Sequence, residues 1–502
     1  TVKDPTLVVL NSLTNRSDID LTLTGPNGQV VSESLAQVNA NWNTSPALEL
    51  DAGTYTATIS AQGDATGSYN LRAVDASQAV AFAPGTVVSG SLPDGNDIAV
   101  YSFSAQAGDQ YWYVGGEYGS PNGTNSYGNT VDWRLIDPYG RQVTSPQSLG
   151  SSTSPFTVQS TGTYLLVVEG GVANSGEVDY NFKFQQVPVT TQALNLDQVQ
   201  NVDISTPFQV DNYTFSVTSA TQVLFDNLSN NFLWTLNGPQ GTVVSNRYTT
   251  DTSVFYSGGQ TLWLTPGNYT LSIQANGSQT GTGAFRLLSA TSATTLSVDT
   301  AISGTLDQPT GSDLYQVALQ AGQQVYVENS SSGGDLSWRL IDPFGNLVAS
   351  TSSQANSQTS VTVAATGLYW LALDGNDFND PTSPVTYQLR LNNTAPVLAP
   401  LTLGATTTGS IDKAGQAVIY SFSLASDTQL VFDSQTDNDQ LTWTLSGPMG
   451  TMVFMEPMNR LDAILSRAPA GSYTLTVQDA NGATGAYAFS LIDAATASQL
   501  SL

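Results

Sequence analysis

The chain contains no cysteine and no histidine among its 502 residues. Without cysteine there is no disulfide framework and no thiolate chemistry, so a small eukaryotic secreted module is a poor match. Without histidine the chain lacks the commonest general base and the commonest zinc ligand. The carboxylates are scattered over repeated turns with no sign of a shared cleft for a catalytic pair. We therefore expect a protein without enzymatic activity.

Basic residues are also scarce, with 13 Lys and Arg against 40 Asp and Glu and a net charge of −27. Nucleic acids and anionic membranes both need a basic surface, so neither is expected as a partner. No apolar run reaches the ~20 residues of a membrane-spanning helix, which argues against membrane insertion. No signal peptide is visible and the sequence starts at Thr1, so we expect a processed product or a segment of a longer protein. An acidic surface suits glycan-rich surroundings, and we expect an extracellular, prokaryotic location.

A Pro-x-Gly turn motif occurs five times at nearly constant spacing. The copies are Pro26-Asn27-Gly28, Pro138-Tyr139-Gly140, Pro239-Gln240-Gly241, Pro343-Phe344-Gly345 and Pro448-Met449-Gly450. Successive prolines are 112, 101, 104 and 105 residues apart. Proline presets the second position of a β-turn and glycine suits the fourth, so the motif closes a hairpin. A period near 100 residues predicts a tandem array of similar domains.

Short alternating runs rich in β-branched and aromatic residues fill each copy and predict strands. Seven or eight strands in about 105 residues indicate an antiparallel sandwich. The predicted fold class is therefore all-β, a tandem array of five jelly-roll-like β-sandwich domains. Their expected boundaries are residues 1–79, 80–188, 189–292, 293–395 and 396–502. The first domain is expected to be incomplete, because residues 6–10 match 429–432 of the fifth copy, where about thirty earlier residues precede them.

Two further motifs have a structural interpretation. A tryptophan precedes the turn in four copies and is predicted to anchor the core. These residues are Trp133, Trp234, Trp338 and Trp443. A Gly-x-Tyr motif occurs in all five copies and predicts a tight turn into a buried strand. Its tyrosines are Tyr55, Tyr164, Tyr269, Tyr369 and Tyr473. Only copies two and four carry Trp-Arg-Leu-Ile-Asp-Pro, so the underlying period is expected to be two domains, or about 210 residues.

Copies two and four share a further set of positions. In copy two these are Gly90, Leu92, Asp97, Tyr101, Phe103, Ala107, Gly108, Leu135, Asp137, Gly140, Gly162 and Tyr164. Copy four repeats them at Gly304, Leu306, Asp313, Tyr315, Ala321, Gly322, Asp342 and Gly345. This pattern resembles the bacterial pre-peptidase C-terminal domain, whereas the odd copies match it less well. The resemblance implies a β-sandwich of the kind found in secreted proteases and large surface proteins, some of which bind calcium, collagen-like ligands or glycans.

Calcium is the cofactor that the acidic loops suggest. The ion takes six to eight oxygen ligands, and the densest acid loop offers Asp374, Asp377 and Asp380. Four more aspartates lie where, by the resemblance, the family sometimes coordinates calcium. These are Asp94, Asp97, Asp307 and Asp313. The alternative explanation is that aspartate occupies turns because it bonds its own backbone.

Aromatic residues in copy two suggest a ligand platform. Trp112 and Tyr113 lie beside a long insertion over residues 115–127, which carries Tyr118 and Tyr127. Such rings could bind a sugar or a peptide. Trp263 and Trp370 lack counterparts in most copies and are also candidates for exposed positions. The alternative is that strand alternation buries one face of each strand in the core.

These inferences favour a non-enzymatic extracellular repeat protein, a rod-like structural or adhesive segment of a bacterial surface protein or adhesin. Short linkers rich in Ala, Thr, Ser and Pro limit bending between its domains. One alternative is a self-assembling subunit of an extracellular fibre, sheath or surface layer. Its chains would associate head to tail by strand addition to the open first domain. Another is a glycan- or collagen-binding array of a secreted hydrolase, with a glycan or a matrix protein as partner.

Overall fold

The chain is all-β. The computed structural model describes residues 1–38, 47–119, 130–229, 232–249, 261–306, 308, 310–329, 336–351, 360–375, 384–460, 463–479 and 482–496. Strands take up 62% of these residues, which include one α-helix of four residues, α1 (Leu35–Val38). Short 3₁₀ turns occur at Ala76–Gln78, Ala290–Ser292 and Ala494–Thr496. No helix in the described ranges has the length and apolar character needed to span a membrane.

The chain divides into two compact units. The first comprises Thr1–Val189 with Thr206–Gln209 and Gly277–Gln279. The second comprises Thr190–Ser205, Val210–Asn276 and Thr280–Leu502.

The sheets form five pairs, and the strands of each pair come from one continuous stretch of the chain. We call these stretches segments one to five. Segment one contains β1 (Thr6–Ser12), β2 (Ile19–Gly25), β3 (Gly28–Ser34), β4 (Ala47–Leu50), β5 (Thr56–Ala61) and β6 (Leu71–Asp75). Segment two contains β7 (Val80–Ala81), β8 (Val87–Leu92), β9 (Ile98–Ala105), β10 (Gln110–Gly119), β11 (Val131–Ile136), β12 (Gln147–Ser148), β13 (Phe156–Thr157), β14 (Gly162–Gly170) and β15 (Val178–Gln186).

The remaining three segments repeat the nine-strand pattern of segment two. Segment three contains β16 (Val189–Ala193), β17 (Gln200–Ile204), β18 (Val210–Val217), β19 (Thr221–Ser229), β20 (Leu233–Gly238), β21 (Gly241–Tyr248), β22 (Leu262–Leu264), β23 (Gly267–Gln274) and β24 (Gly281–Ser289). Segment four contains β25 (Thr294–Thr295), β26 (Ala301–Leu306), β27 (Ser312–Leu319), β28 (Gln324–Asn329), β29 (Leu336–Ile341), β30 (Leu347–Thr351), β31 (Ser360–Thr362), β32 (Gly367–Gly375) and β33 (Val385–Asn393). Segment five contains β34 (Val397–Pro400), β35 (Thr406–Ile411), β36 (Ala417–Leu424), β37 (Thr428–Ser434), β38 (Leu441–Gly447), β39 (Gly450–Pro457), β40 (Ala463–Ala468), β41 (Gly471–Asp479) and β42 (Gly485–Asp493).

Segments two to five have the same strand order. Counted along each segment, the first, third, eighth, fifth and sixth strands form a five-stranded sheet, and the second, ninth, fourth and seventh form a four-stranded sheet. Most neighbouring strands are antiparallel, whereas the first strand of segments two, four and five runs parallel to the third. In the described part of the chain, segment one has counterparts of the last six strands only. They form two three-stranded sheets, with orders β4-β1-β6 and β3-β2-β5.

The two sheets of each segment share apolar contacts. In segments two to five one cluster of buried side chains draws on both sheets, and segment one contains two smaller clusters. The four tryptophans predicted to anchor the core are buried in these clusters, which confirms that prediction. Three of them stack on an aromatic ring of the facing sheet, with centroids 4.3 Å apart for Tyr113–Trp133 and Phe225–Trp234 and 3.8 Å apart for Phe432–Trp443.

The Gly-x-Tyr motif and the Pro-x-Gly turn pack against each other in all five segments. A Cβ on the glycine would collide with the turn proline, at 2.7 Å from Pro138 for Gly162 and 2.6 Å from Pro239 for Gly267. The tyrosine hydroxyl donates to the backbone carbonyl four residues earlier, as in Tyr269 to Thr265 at 2.8 Å. The same bond recurs at Tyr55, Tyr164, Tyr369 and Tyr473. Such tyrosine corners fix the entry of a strand into a Greek-key sandwich. The two sequence motifs therefore form one structural element.

We predict that Gly267→Ala destabilises segment three by about 1–3 kcal/mol, because the added methyl group overlaps the Pro239 ring and the φ angle of +150° disfavours a side chain. Denaturant unfolding of the intact chain measures the effect. The control is Gly277→Ala, where φ is +65° and no atom lies within 4 Å of the new Cβ. That change should cost about 1 kcal/mol from backbone strain alone. Equal losses for the two variants would contradict the proposed packing role of Gly267.

Candidate functional site

The aspartates predicted to bind calcium in segment two lie in the loop between β8 and β9. Asp94 is exposed, whereas Asp97 is buried. The Asp97 carboxylate forms an ion pair with Arg72 of β6, with Nη1 2.8 Å from both oxygens, and accepts a hydrogen bond from Asn11 Nδ2 at 3.1 Å. These bonds occupy the Asp97 oxygens with donors from segment one.

Two of the calcium candidates in segment four are likewise bound to other side chains of the protein. Asp374, near the end of β32, is buried and accepts two hydrogen bonds from Arg339 of β29, at 2.9 and 2.8 Å, and one from Ser312 Oγ at 2.7 Å. Asp313 accepts a 2.6 Å hydrogen bond from the Tyr387 hydroxyl. Asp307, Asp377 and Asp380 lie outside the described residues. Within the described ranges no group of three or more carboxylates is placed to hold a metal ion, so calcium binding stays a prediction from the sequence.

The aromatic residues of β10 do not form the expected exposed platform. Tyr113 is 0% exposed, stacks on Trp133 and donates to the Leu149 carbonyl at 2.9 Å. Trp112 is 3% exposed and contacts the Phe208 ring edge-on, with centroids 5.4 Å apart. Tyr118 is half-buried against the core cluster of segment two. Tyr127 lies outside the described residues. Both faces of β10 are covered at Tyr111–Tyr113, which strand alternation alone does not indicate.

The structure instead brings together residues at the junctions between segments. Segments one and two meet through an apolar cluster that we call junction A. It contains Val9, Ala47, Ile98, Val100, Ile136, Leu165 and Val167. Segments three and four meet in the same way at junction B, which contains Leu224, Leu288, Ala293, Leu314, Ile341, Trp370 and Ala372. In both cases the four-stranded sheet of the odd segment, or its counterpart in segment one, faces the five-stranded sheet of the even segment.

A buried ion pair lies at the same position in both even segments. At junction A, Arg134 Nε of β11 is 2.6 Å from Glu169 Oε1 of β14, and both side chains are almost fully buried. At junction B the corresponding pair is Arg339–Asp374, at 2.8 Å. Arg134 lies two residues from Ile136 on its strand, so both side chains point to the junction rather than to the core.

Junction B extends this pair into a network with segment three. Arg286 of β24 is 2.6 Å from Asp226 of β19, and it also donates to the Ser312 carbonyl of β27 at 3.0 Å. Ser312 in turn donates to Asp374. Two arginines and two aspartates are therefore linked across the junction through one serine.

A third contact joins segments four and five. Asn392 Nδ2 donates to Glu328 at 2.9 Å and to the Ala414 carbonyl at 3.4 Å. Lys413 Nζ lies 2.8 Å from Asp299. The junction therefore combines polar contacts from both segments.

Burial raises the pKa of two carboxyl groups at the junctions. Desolvation raises the pKa of Glu169 to about 7, although the neighbouring Arg134 opposes the shift. Desolvation likewise raises the pKa of Asp226 to about 6, against the effect of Arg286. Because removing both charges from water is unfavourable, such pairs add little net stability, but either partner alone would leave a buried charge uncompensated.

Sequence reasoning missed the junctions. Arg134 and Arg339 were visible as part of the Trp-Arg-Leu-Ile motif, where they served only to distinguish even copies from odd ones. The sequence pattern that indicates the buried ion pair is an arginine inside an apolar strand, followed 35 residues later by an acid in a second apolar strand. Glu169 follows Tyr164-Leu165-Leu166-Val167-Val168, and Asp374 follows Tyr369-Trp370-Leu371-Ala372-Leu373. Uninterrupted apolar runs of this kind indicate strands that are buried on both faces.

Comparisons with known proteins place the chain in no family. No family model matches it, and no curated protein matches it. Among solved structures, the human MASP-1/3 CUB1-EGF-CUB2 fragment is similar at 5% identity and a TM-score of 0.15, covering 38% of this chain and 99% of that one. The M60 catalytic domain of Clostridium perfringens ZmpB with its CBM51 domains is similar at 8% identity and a TM-score of 0.14, covering 78% of this chain and 55% of that one. Tripeptidyl peptidase 2 is similar at 11% identity and a TM-score of 0.15, covering 99% and 37% respectively. Likenesses this weak carry no argument about fold or function.

We predict that at about pH 8.5, above the raised pKa of Glu169, the substitution Glu169→Gln destabilises segment two by about 3–5 kcal/mol, because it leaves the Arg134 guanidinium buried without a counter-charge. The double variant Arg134→Met/Glu169→Leu should be as stable as the parent chain or more stable, since it removes both charges and keeps the volume. Denaturant unfolding of the intact chain provides the measurement. Arg141→Met is the control, because Arg141 is mostly exposed in its pair with Asp137 and should contribute below about 1 kcal/mol. A double variant as unstable as the single one would contradict this account of the pair.

We also predict a pH dependence from the raised pKa of Glu169. Burial raises the pKa of Glu169 in the folded chain to about 7, whereas the ordinary pKa of a glutamate is 4.5. The stability that protonated Glu169 contributes is therefore fully present below its pKa in the unfolded chain. It is lost as the pH rises through its pKa in the folded chain. The melting temperature of the parent chain, minus that of Arg134→Met/Glu169→Leu, should fall between pH 5 and pH 8. A difference that rises over this interval would show that Glu169 is held ionised.

Proposed function

We propose that residues 1–502 form a non-enzymatic spacer in an extracellular protein, built as a tandem array of five jelly-roll β-sandwich domains. The observation that carries the proposal is the repeated junction. An apolar cluster and a buried arginine–carboxylate pair occur at equivalent places 205 residues apart, once at junction A and once at junction B. Because the same buried junction occurs twice, we infer that its role is to fix the relative orientation of the two domains that meet there.

The strand order supports discrete sandwich domains. The order of the second, ninth, fourth and seventh strands in one sheet and the third, eighth, fifth and sixth in the other interleaves the chain between two sheets, as in a jelly roll. A solenoid of stacked coils would pair successive coils through parallel strands. Here nearly all pairings are antiparallel and stay within one segment.

The chemistry of the described acids supports a mechanical role over a catalytic one. Asp97, Asp226, Glu169 and Asp374 are each bound to an arginine. Only the Arg72–Asp97 pair joins two segments, and the other three pairs each lie within one segment. All four carboxylates contact an arginine, which favours a structural role. The resemblance to pre-peptidase C-terminal domains, and with it a place in a prokaryotic surface protein or adhesin, remains part of this proposal.

Small-angle X-ray scattering of the intact chain tests the spacer proposal. We expect an elongated, monomeric particle. Leu314→Asp places a charge in the apolar cluster of junction B and should give a more flexible scattering profile with unchanged strand content. The control is Ile464→Asp, at a residue that is 71% exposed, which should leave the profile unchanged. A globular particle would contradict the spacer, and ordered filaments in electron micrographs would favour the fibre or sheath alternative.

A further inference from the structure

The junction between segments four and five, which we call junction C, contains three buried side chains with an unpartnered oxygen. These side chains are Tyr326 on β28, Asn392 on β33 and Thr394 directly after β33, and they are 3%, 0% and 1% exposed. In the described part of the chain, Tyr326 Oη, Asn392 Oδ1 and Thr394 Oγ1 have no hydrogen-bond partner. Buried polar atoms are almost always satisfied in folded proteins. Three exceptions at one junction therefore point to a bound group.

Strand pairing and hydrogen bonds in segment four bring these oxygens to one surface. Tyr326 and Asn392 lie directly opposite each other in the antiparallel pair β28–β33, so their side chains share one face of the sheet. Thr394 continues the ladder two residues beyond Asn392 and lies on the same face. Asn392 Nδ2 donates to the half-buried Glu328 at 2.9 Å and to the Ala414 carbonyl of segment five at 3.4 Å. Segment four therefore supplies one carboxylate and three neutral side-chain oxygens to junction C.

Segment five contributes a loop and a second carboxylate. Gly415, in the loop between β35 and β36, lies against the Tyr326 ring, because a Cβ there would be 2.6 Å from that ring. The Gly415 N–H donates to Asp479 Oδ2 at 2.5 Å, and the Gly482 N–H donates to Asp479 Oδ1 at 3.0 Å. Gly415 thus contacts both Tyr326 and Asp479, and it links the second carboxylate to the surface that carries the three oxygens.

The two carboxylates of junction C form no ion pair within the described residues. Glu328 and Asp479 have no lysine or arginine nitrogen at ion-pair distance there, and Lys413 of the neighbouring loop is paired with Asp299. Burial raises the pKa of Asp479, and burial together with the charges of Asp479 and Glu328 raises the pKa of Tyr326. Both carboxylates therefore act on one hydroxyl. A bound cation would stabilise both of them in the charged form.

The corresponding positions elsewhere in the chain carry different chemistry. Trp112 of β10 corresponds to Tyr326 of β28, because both lie opposite the same position of the last strand, Gln185 in β15 and Asn392 in β33. The same alignment of strands pairs Glu328, Thr394 and Asp479 with Val114, Val187 and Ala275. None of the four counterparts has a side-chain oxygen. Junction C therefore differs from them by a set of residues that suits a hard cation.

We propose that junction C is a calcium site that joins segments four and five. Glu328 and Asp479 carry the negative charge, and Asn392 Oδ1, Thr394 Oγ1 and the Ala414 carbonyl add neutral ligands. Calcium takes six to eight oxygen ligands, drawn from carboxylates, amide and main-chain carbonyls and water, and a carboxylate binds it through one or both oxygens. None of these residues belongs to the acidic loops in which the sequence suggests calcium. The proposal does not depend on the spacer function.

Calorimetric titration of the chelator-treated intact chain with calcium chloride tests the site. We expect saturable binding by the parent chain and at least tenfold weaker binding after Asp479→Asn or Glu328→Gln. Thr394→Val should weaken binding at least threefold, and it carries the test if a carboxylate variant does not fold, because Val187 occupies the equivalent position in segment two. Asp412→Asn is the matched control, since Asp412 lies exposed in the same loop and should leave calcium binding unchanged.

Melting temperatures with and without chelator give a second readout. Calcium should raise the melting temperature of the parent chain and of Asp412→Asn but not that of Asp479→Asn. Calcium binding that is absent from the parent chain, or equal in the parent chain and in Asp479→Asn, would overturn the proposal and assign the buried oxygens to bound water. Binding that is lost in Asp377→Asn/Asp380→Asn and retained in Asp479→Asn would place the ion in the acidic loop and would also overturn it.

Discussion

The central strands of the even segments are buried on both faces, and the junctions depend on this constraint. In β14 the residues from Tyr164 to Gly170 are all buried, with one face against the core of segment two and the other against segment one. An isolated antiparallel sandwich would leave the second face in water and show strict alternation of apolar and polar residues. Here that face carries Leu165 and Val167, which pack with Val9 and Ala47 of segment one. The apolar face of the sheet exists because another segment covers it.

On a buried face of this kind, a charged side chain must be paired with one of opposite charge. Arg134 and Glu169 lie on neighbouring strands of the same sheet, so the pair is made within segment two and does not itself link two segments. The pair lies on the face of the sheet that carries the apolar cluster of junction A, and both of its side chains are almost fully buried. Asp97 has the complementary role, because its partners Arg72 and Asn11 both belong to segment one. The apolar cluster therefore supplies the burial, and the charges specify how the two segments meet, since a shifted register would separate Asp97 from Arg72.

Much of the architecture follows from the sequence, because turns and alternating strands have local signatures. The proline–glycine turns, the four tryptophan anchors and the Gly-x-Tyr strands all appear where the repeat predicts them. The candidate sites were harder to predict for a physical reason. Asp97 and Asp374 look like loop ligands in sequence, but their arginine partners lie 25 and 35 residues away, and only tertiary pairing brings them together. Tyr113 fails as a surface ring because it points into the core of segment two, whereas Trp112 on the opposite face is covered by Phe208, a contact that periodicity within one strand does not encode.

The same constraint explains why odd and even segments differ. An odd segment offers the outer face of its four-stranded sheet, where Leu224 and Leu288 are apolar, and an even segment offers its five-stranded sheet, where Leu314 and Ile341 are apolar. Each type thus carries its second apolar face on a different sheet, so two segments of the same type could not reproduce junction A or B. Trp-Arg-Leu-Ile is therefore the sequence of a strand that packs against the core of its own segment on one face and against the neighbouring segment on the other. Trp and Leu point to the core, while Arg and Ile point to the neighbouring segment. The second apolar face of an odd segment and that of an even segment bury each other. The smallest unit that buries both faces is therefore one odd segment with one even segment, which explains the repeat of about 210 residues.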